Sequence, residues 1–111
     1  MEQEKSLLLQ AIGDTPKLRI IDFLITFQDF DYSLTEIAEG SGVAYRTLMG
    51  VWPQIENTEL VAEIRKVGKS RMFKANLNNP VIKGLSKLQL QIANYFISKE
   101  FPDKMQLEVT A

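Results

Sequence analysis

Residues 33–77 constrain this chain more than any other stretch, because the apolar period there changes from helical to extended. The run SLTEIAEGSGVAYRTLMGVWPQIENTELV places large apolar side chains at helical spacing, breaks at Gly40-Ser41-Gly42, and then resumes. Leu34, Ile37 and Ala38 form the inward face before the break, and Leu48, Val51, Trp52 and Ile55 the one after it. Ser33 followed by Glu36 is a capping-box pair that satisfies two helix-start amides. The continuation VAEIRKVGKSRMFKANL reads as two short strands around a Gly-Lys turn. The expected order is helix, tight turn, helix, hairpin.

The flanks are helical by pattern. A first helix is expected from about Glu4 to Ile12, ended by Gly13, and its Leu7, Leu8 and Leu9 exceed what one narrow face needs. Thr15 with Pro16 pairs an N-cap with a first-turn proline, and Leu18, Ile21, Leu24, Ile25 and Gln28 continue at helical spacing until Asp29-Phe30-Asp31. Tyr32 and its neighbours are placed to add a short strand beside the hairpin. Asn79-Pro80 starts another helix, on which Val81, Leu85, Leu88, Ile92 and Tyr95 recur at steps of four and three. That stripe is a helix–helix seam, and the N-terminal leucines, from the same chain or a second one, are its candidate partners. Residues 102–111 show no period and are expected to fray.

With 111 residues, 45% hydrophobic and 24% charged, the chain has the length of one domain and the composition of a soluble globular protein. No apolar run approaches the ~18 residues that a membrane helix needs, and the acidic start does not read as a signal peptide. There is no cysteine and no histidine, which disfavours disulfides, thiolate chemistry and zinc or copper sites, so neither metal nor cofactor is expected. A cytoplasmic location is the plain expectation. Net charge is −1 but unevenly spread: residues 1–42 carry three Lys/Arg against eight Asp/Glu, whereas residues 43–74 carry six against three. Such polarity would turn the second region toward a polyanion.

The motif resembles the winged helix-turn-helix of bacterial and archaeal transcription regulators of the MarR/ArsR kind. Leu34-Thr35-Glu36-Ile37-Ala38 is similar to the positioning helix, Gly42-Val43 to the tight turn, Thr47-Leu48 to the start of the recognition helix, and Leu60-Val61 to the lead into the wing. The resemblance implies a mostly α fold with a small β-hairpin (α+β), spanning residues 1–101. Its helix-turn-helix would occupy about 33–58, the wing about 60–77, and a C-terminal helix about 80–100. It implies double-stranded DNA as partner, a nucleoid-associated location, and a homodimer whose interface draws on Leu7, Leu8, Val81, Leu85, Leu88, Ile92 and Tyr95. The DNA-contact candidates are Tyr45, Arg46 and Met49 on the recognition helix, and Arg65, Lys66, Lys69, Ser70, Arg71 and Lys74 in the wing. Arg46 could read guanine, hold a phosphate, or pair with a nearby carboxylate; Tyr45 could meet DNA or pack on the wing.

Three features depart from that pattern. Ala44 stands where a capping serine or threonine is usual, and Gly50 and Pro53 fall inside the recognition helix, where a kink or an irregular turn is expected. Glu59 stands where glycine is frequent, so Asn57 is expected to supply the left-handed residue and end the helix early. The alternative function is a winged-helix protein–protein module in a transcription or DNA-segregation assembly, since the fold hosts both jobs. An enzyme is not expected: no carboxylate pair or activated lysine is marked, and Gly68-Lys69-Ser70 lacks the rest of a phosphate-binding loop. No polar cluster in the seam identifies a small-molecule effector.

Overall fold

Side-chain caps start four of the helices in the computed structural model, which describes residues 5–100. The Ser6 hydroxyl accepts from the Leu9 amide (3.2 Å) and opens α1 (Leu7–Ile12). Thr15 accepts from Leu18 (3.1 Å) and opens α2 (Pro16–Thr26). The full capping box of Ser33 and Glu36 opens α3 (Leu34–Ser41). Asn79 accepts from the Val81 amide (2.8 Å) at the start of the last helix (Pro80–Glu100). The helix Tyr45–Asn57, α4, is the exception, because Ala44 offers no side-chain acceptor.

Between α4 and the last helix, α5, lies an antiparallel hairpin of β1 (Val61–Val67) and β2 (Ser70–Ala75). Val67 pairs with Ser70 across Gly68-Lys69, and Gly68 takes the positive φ of 61° that the first position of a II′ turn requires. A bulge at Ile64 lies between the pairs Glu63–Phe73 and Arg65–Met72, so Glu63 and Arg65 do not share a face as residues two apart in a regular strand would. Tyr32 adds a single bridge to Phe73, with amide–carbonyl distances of 2.9 and 2.8 Å.

The core gathers around α2. Ile20, Ile21, Leu24 and Ile25 meet Ile37 of α3, Leu48, Trp52 and Ile55 of α4, Phe73 of β2 and Ile82 of α5. Each such side chain contributes roughly 1.5–3 kcal/mol on burial. Only Ile82 is fully buried among the described residues of α5. At 1.5 Å per residue its 21 residues span about 31 Å, and much of that length has no core beneath it.

Several sequence expectations are corrected. The first helix begins after Ser6 rather than at Glu4, which lies outside the described residues, as do residues 102–111. Helix α2 ends at Thr26, before Asp29. Gly40 and Ser41 do not break α3, which runs on to Gly42, whose φ of 72° closes it. Gly40 is instead a contact: a Cβ there would overlap the Phe23 ring of α2. Helix α4 runs through Pro53 without an irregular turn, and the missing proline amide leaves the Met49 carbonyl without its helical partner.

Asn57 is still helical, and Glu59 is the left-handed residue (φ 59°). A glutamate tolerates that conformation because two asparagines hold the turn. Asn76 Nδ2 donates to the Glu59 carbonyl (2.9 Å), and Asn79 Nδ2 donates to those of Glu59 (3.0 Å) and Thr58 (3.1 Å). Asn79 thus caps α5 and clasps the end of α4 with one side chain.

Candidate nucleic-acid interface

The hairpin packs beside α4, where Phe73 meets Trp52 and Arg71 reaches Glu56, and the start of α4 is open to solvent. Burial of Leu48, Trp52 and Ile55 turns the opposite side of α4 outward, so Tyr45, Arg46, Met49 and Gly50 are all exposed. Arg46 forms no ion pair among the described residues. With no capping side chain at Ala44, the first amides of α4 also remain open to an external acceptor.

The hairpin's cations divide into two kinds. Lys66 and Lys69 stand exposed at the tip beside Ser70, with no carboxylate within ion-pair distance among the described residues. Lys74, further down β2, is half-buried. The arginines are engaged within the molecule. Arg65 reaches Asp31 with two bonds, Nε to Oδ2 at 2.7 Å and Nη2 to Oδ1 at 3.1 Å. That fork holds the Asp31 carboxyl below the usual carboxylate range. Arg71 donates from Nη2 to Glu56 of α4 (2.5 Å) and from Nε to Glu63 of β1 (2.9 Å), and these bonds raise its own pKa. Its guanidinium carbon also lies 4.8 Å from the centroid of the Phe73 ring. Phe73 in turn meets Trp52 of α4 edge to face at 4.9 Å.

These partners were not legible in the sequence. Glu63 carries a weak signal, because hairpin register sets it diagonally from Arg71 once the bulge is known. Glu56 and Asp31 carry none, being 15 and 34 residues from the arginines they bind.

The residues of the expected dimer seam separate in the same way. Leu8 is buried within the protomer at 1% exposure and cannot serve an outer surface, a correction that follows from α1 packing on α5 and α2. Leu85, Leu88 and Ile92 are half-buried, with Leu85 against the core. Leu7, Val81 and Tyr95 remain exposed, joined by Leu90, Phe96 and Ile97, which the periodicity did not single out. Gln89, on the same helix, ties α5 to α2 through Asp22 Oδ1 (2.6 Å) and Thr26 Oγ1 (2.9 Å).

Among the described residues no three His, Cys, Asp or Glu side chains are grouped to hold a metal, and no helix is long and apolar enough to cross a membrane. No protein-family model matches the chain, and no curated protein sequence does either. Solved structures do match. Ligand-free NadR superposes with a TM-score of 0.56 over 90% of this chain and 72% of its own, at 19% identity. MepR, a transcription regulator of the Staphylococcus aureus multidrug efflux pump MepA, gives 0.59 over 90% and 77%, at 12% identity. A MarR family protein from Bacillus stearothermophilus gives 0.53 over 81% and 64%, at 16% identity. Helix, turn, helix and hairpin in this order, with flanking helices α1 and α5, give the chain the winged helix-turn-helix fold found in the MarR family.

Proposed function

We propose that this chain binds double-stranded DNA as a homodimeric transcription regulator. The start of α4 enters the major groove, and the hairpin lies on the backbone or adjacent minor groove. The observation that carries the reading is the set of exposed cations on α4 and the hairpin tip. There Arg46, Lys66 and Lys69 are exposed and unpaired among the described residues, while the acidic excess falls in residues 1–42. Unpaired cations at these positions, in a chain whose net charge is −1, concentrate positive potential on α4 and the hairpin tip. Tyr45 and Met49 beside Arg46 supply the apolar and hydrogen-bonding surface for base edges, and the open amides of α4 suit a phosphate.

The dimer rests on the outer end of α5. Leu90 is 63% exposed, Tyr95 57% and Phe96 46%, an unusual amount of apolar surface to leave in water along one helix end. A two-fold interface there, with Leu7 of α1 at its rim, would set the two recognition helices about 34–36 Å apart on successive turns of DNA. What the neighbours do adds weight, since MepR is a transcription regulator.

Binding of labelled duplex DNA at two salt concentrations, with the particle mass from light scattering, tests the whole reading. Tight binding by a dimer that weakens steeply with salt is expected. Leu90→Glu, at an exposed position, should yield a monomer with lower DNA affinity. A wild-type monomer at micromolar concentration would overturn the dimer. Absence of DNA binding at physiological salt would overturn the function in favour of a protein-contact module.

A further inference from the structure

Arg71 lies on the face proposed for DNA, yet its guanidinium is occupied on three sides. One edge is bonded to Glu56 of α4, another to Glu63 of β1, and the flat face covers Phe73. The three partners belong to the two units that must meet the duplex together. Glu56 is on the recognition helix, while Glu63 and Phe73 are a cross-strand pair of the hairpin. Phe73 is also the ring on which Trp52 of α4 packs, so the clamp sits directly above the apolar joint between helix and wing. For Arg71 to reach a phosphate it would break two charge-assisted bonds. It would also leave two carboxylates, each about a third exposed, facing a polyanion. Lys66 and Lys69 carry no such obligation.

We propose that Arg71 is a positioning residue: by gripping one carboxylate on α4 and one on β1 it fixes the angle of the wing to the recognition helix, and the wing's phosphate contacts fall to the lysines. This rests on the DNA-binding reading above. A planar fork with separate donors on two edges is what the task requires, and a lysine ammonium, a point charge on a flexible stem, cannot reproduce it.

Arg71→Lys separates positioning from phosphate contact because it keeps the charge. The expected result is a threefold to tenfold loss of affinity for duplex DNA, with the slope of log affinity on log salt unchanged. In the free protein, amide hydrogen exchange along β1 and β2 should quicken by a similar factor. Glu56→Gln, which opens the grip from the other side and leaves Arg71 in place, should quicken the same amides. If Arg71 instead holds phosphate, Arg71→Lys keeps its affinity, Arg71→Met flattens the slope by nearly two units per dimer, and neither Arg71→Lys nor Glu56→Gln changes hairpin exchange. Those results would overturn the proposal. Failure of the wild type to bind DNA would remove the functional reading alone, because hairpin exchange in Arg71→Lys and Glu56→Gln still decides whether the clamp holds the wing.

Discussion

Replacing Lys66 and Lys69 together with alanine tests the electrostatics of the DNA face most directly. On the surface proposed for DNA each protomer offers three exposed cations that have no carboxylate partner among the described residues, Arg46, Lys66 and Lys69, so a dimer makes about six phosphate contacts. Counterion release at about −0.9 per contact gives a log–log salt slope of about −5. Between about 50 and 200 mM salt, that slope lowers wild-type affinity about a thousandfold. The double variant keeps only the two arginines of the recognition helices, so its slope should fall to about −2 and its loss over the same range to about tenfold. Fluorescence anisotropy of a labelled duplex across that range measures both slopes, and circular dichroism confirms the fold. Neither lysine packs against the core, so stability should be unchanged. A double-variant slope within about one unit of the wild type would refute the assignment of phosphate contacts to the wing tip. A wild-type slope near about −9 would mean that Arg65 and Arg71 leave their carboxylates to join the phosphates, contrary to the geometry.

Arg46→Ala should cost roughly 1–3 kcal/mol on a selected site and less on scrambled duplex, where only its share of the salt-dependent charge is lost, read by competition binding; equal losses on both would deny Arg46 any base readout. Two glycine substitutions should differ in sign under urea denaturation. Gly50→Ala, with open space around its missing Cβ, should stabilise by about 0.5–1 kcal/mol, whereas Gly40→Ala should destabilise by about 1–3 kcal/mol because it meets the Phe23 ring. Asn79→Ala removes the α5 cap and two bonds that hold the Thr58–Glu59 turn, and should cost about 1–3 kcal/mol in the same assay. The Asp14 carboxyl, held by Arg19 and then Lys5, is lowered from 3.8 to about 2. Because the folded value is the lower one, its stabilisation is complete above the unfolded value near 3.8 and is lost as pH falls through about 2. Carboxyl NMR should find it still ionised at pH 3, and Asp14→Asn should flatten the stability profile in that window.

Helix starts were largely legible because they depend on short-range chemistry. Ser33 with Glu36, Thr15 with Pro16 and Asn79 with Pro80 each satisfy amides within three residues, so sequence spacing alone specifies the bond. The turn residue Gly68 and the inward faces of α3 and α4 were legible for the same reason. Ser6 went unread because its helix was begun too early, at Glu4. Gly40 read as a breaker because glycine lowers helix propensity, and nothing local reveals the aromatic ring packed against it.

What the chain alone determined, then, is whatever is decided within one turn of helix or one hairpin: element type, order, the caps and the uneven distribution of charge. Tertiary structure decided which charges are free. The sequence presents Arg65, Lys66, Lys69, Arg71 and Lys74 as one basic stretch. Folding brings Asp31 and Glu56 from distant elements onto two of them, and a one-residue bulge separates the faces of Glu63 and Arg65. The left-handed turn moved from Asn57 to Glu59 for a related reason, since the asparagines that hold it arrive from beyond the hairpin. An ion pair or a clasp depends on where two backbones lie relative to each other, and that relation is set by the buried contacts of α2, α4 and Phe73.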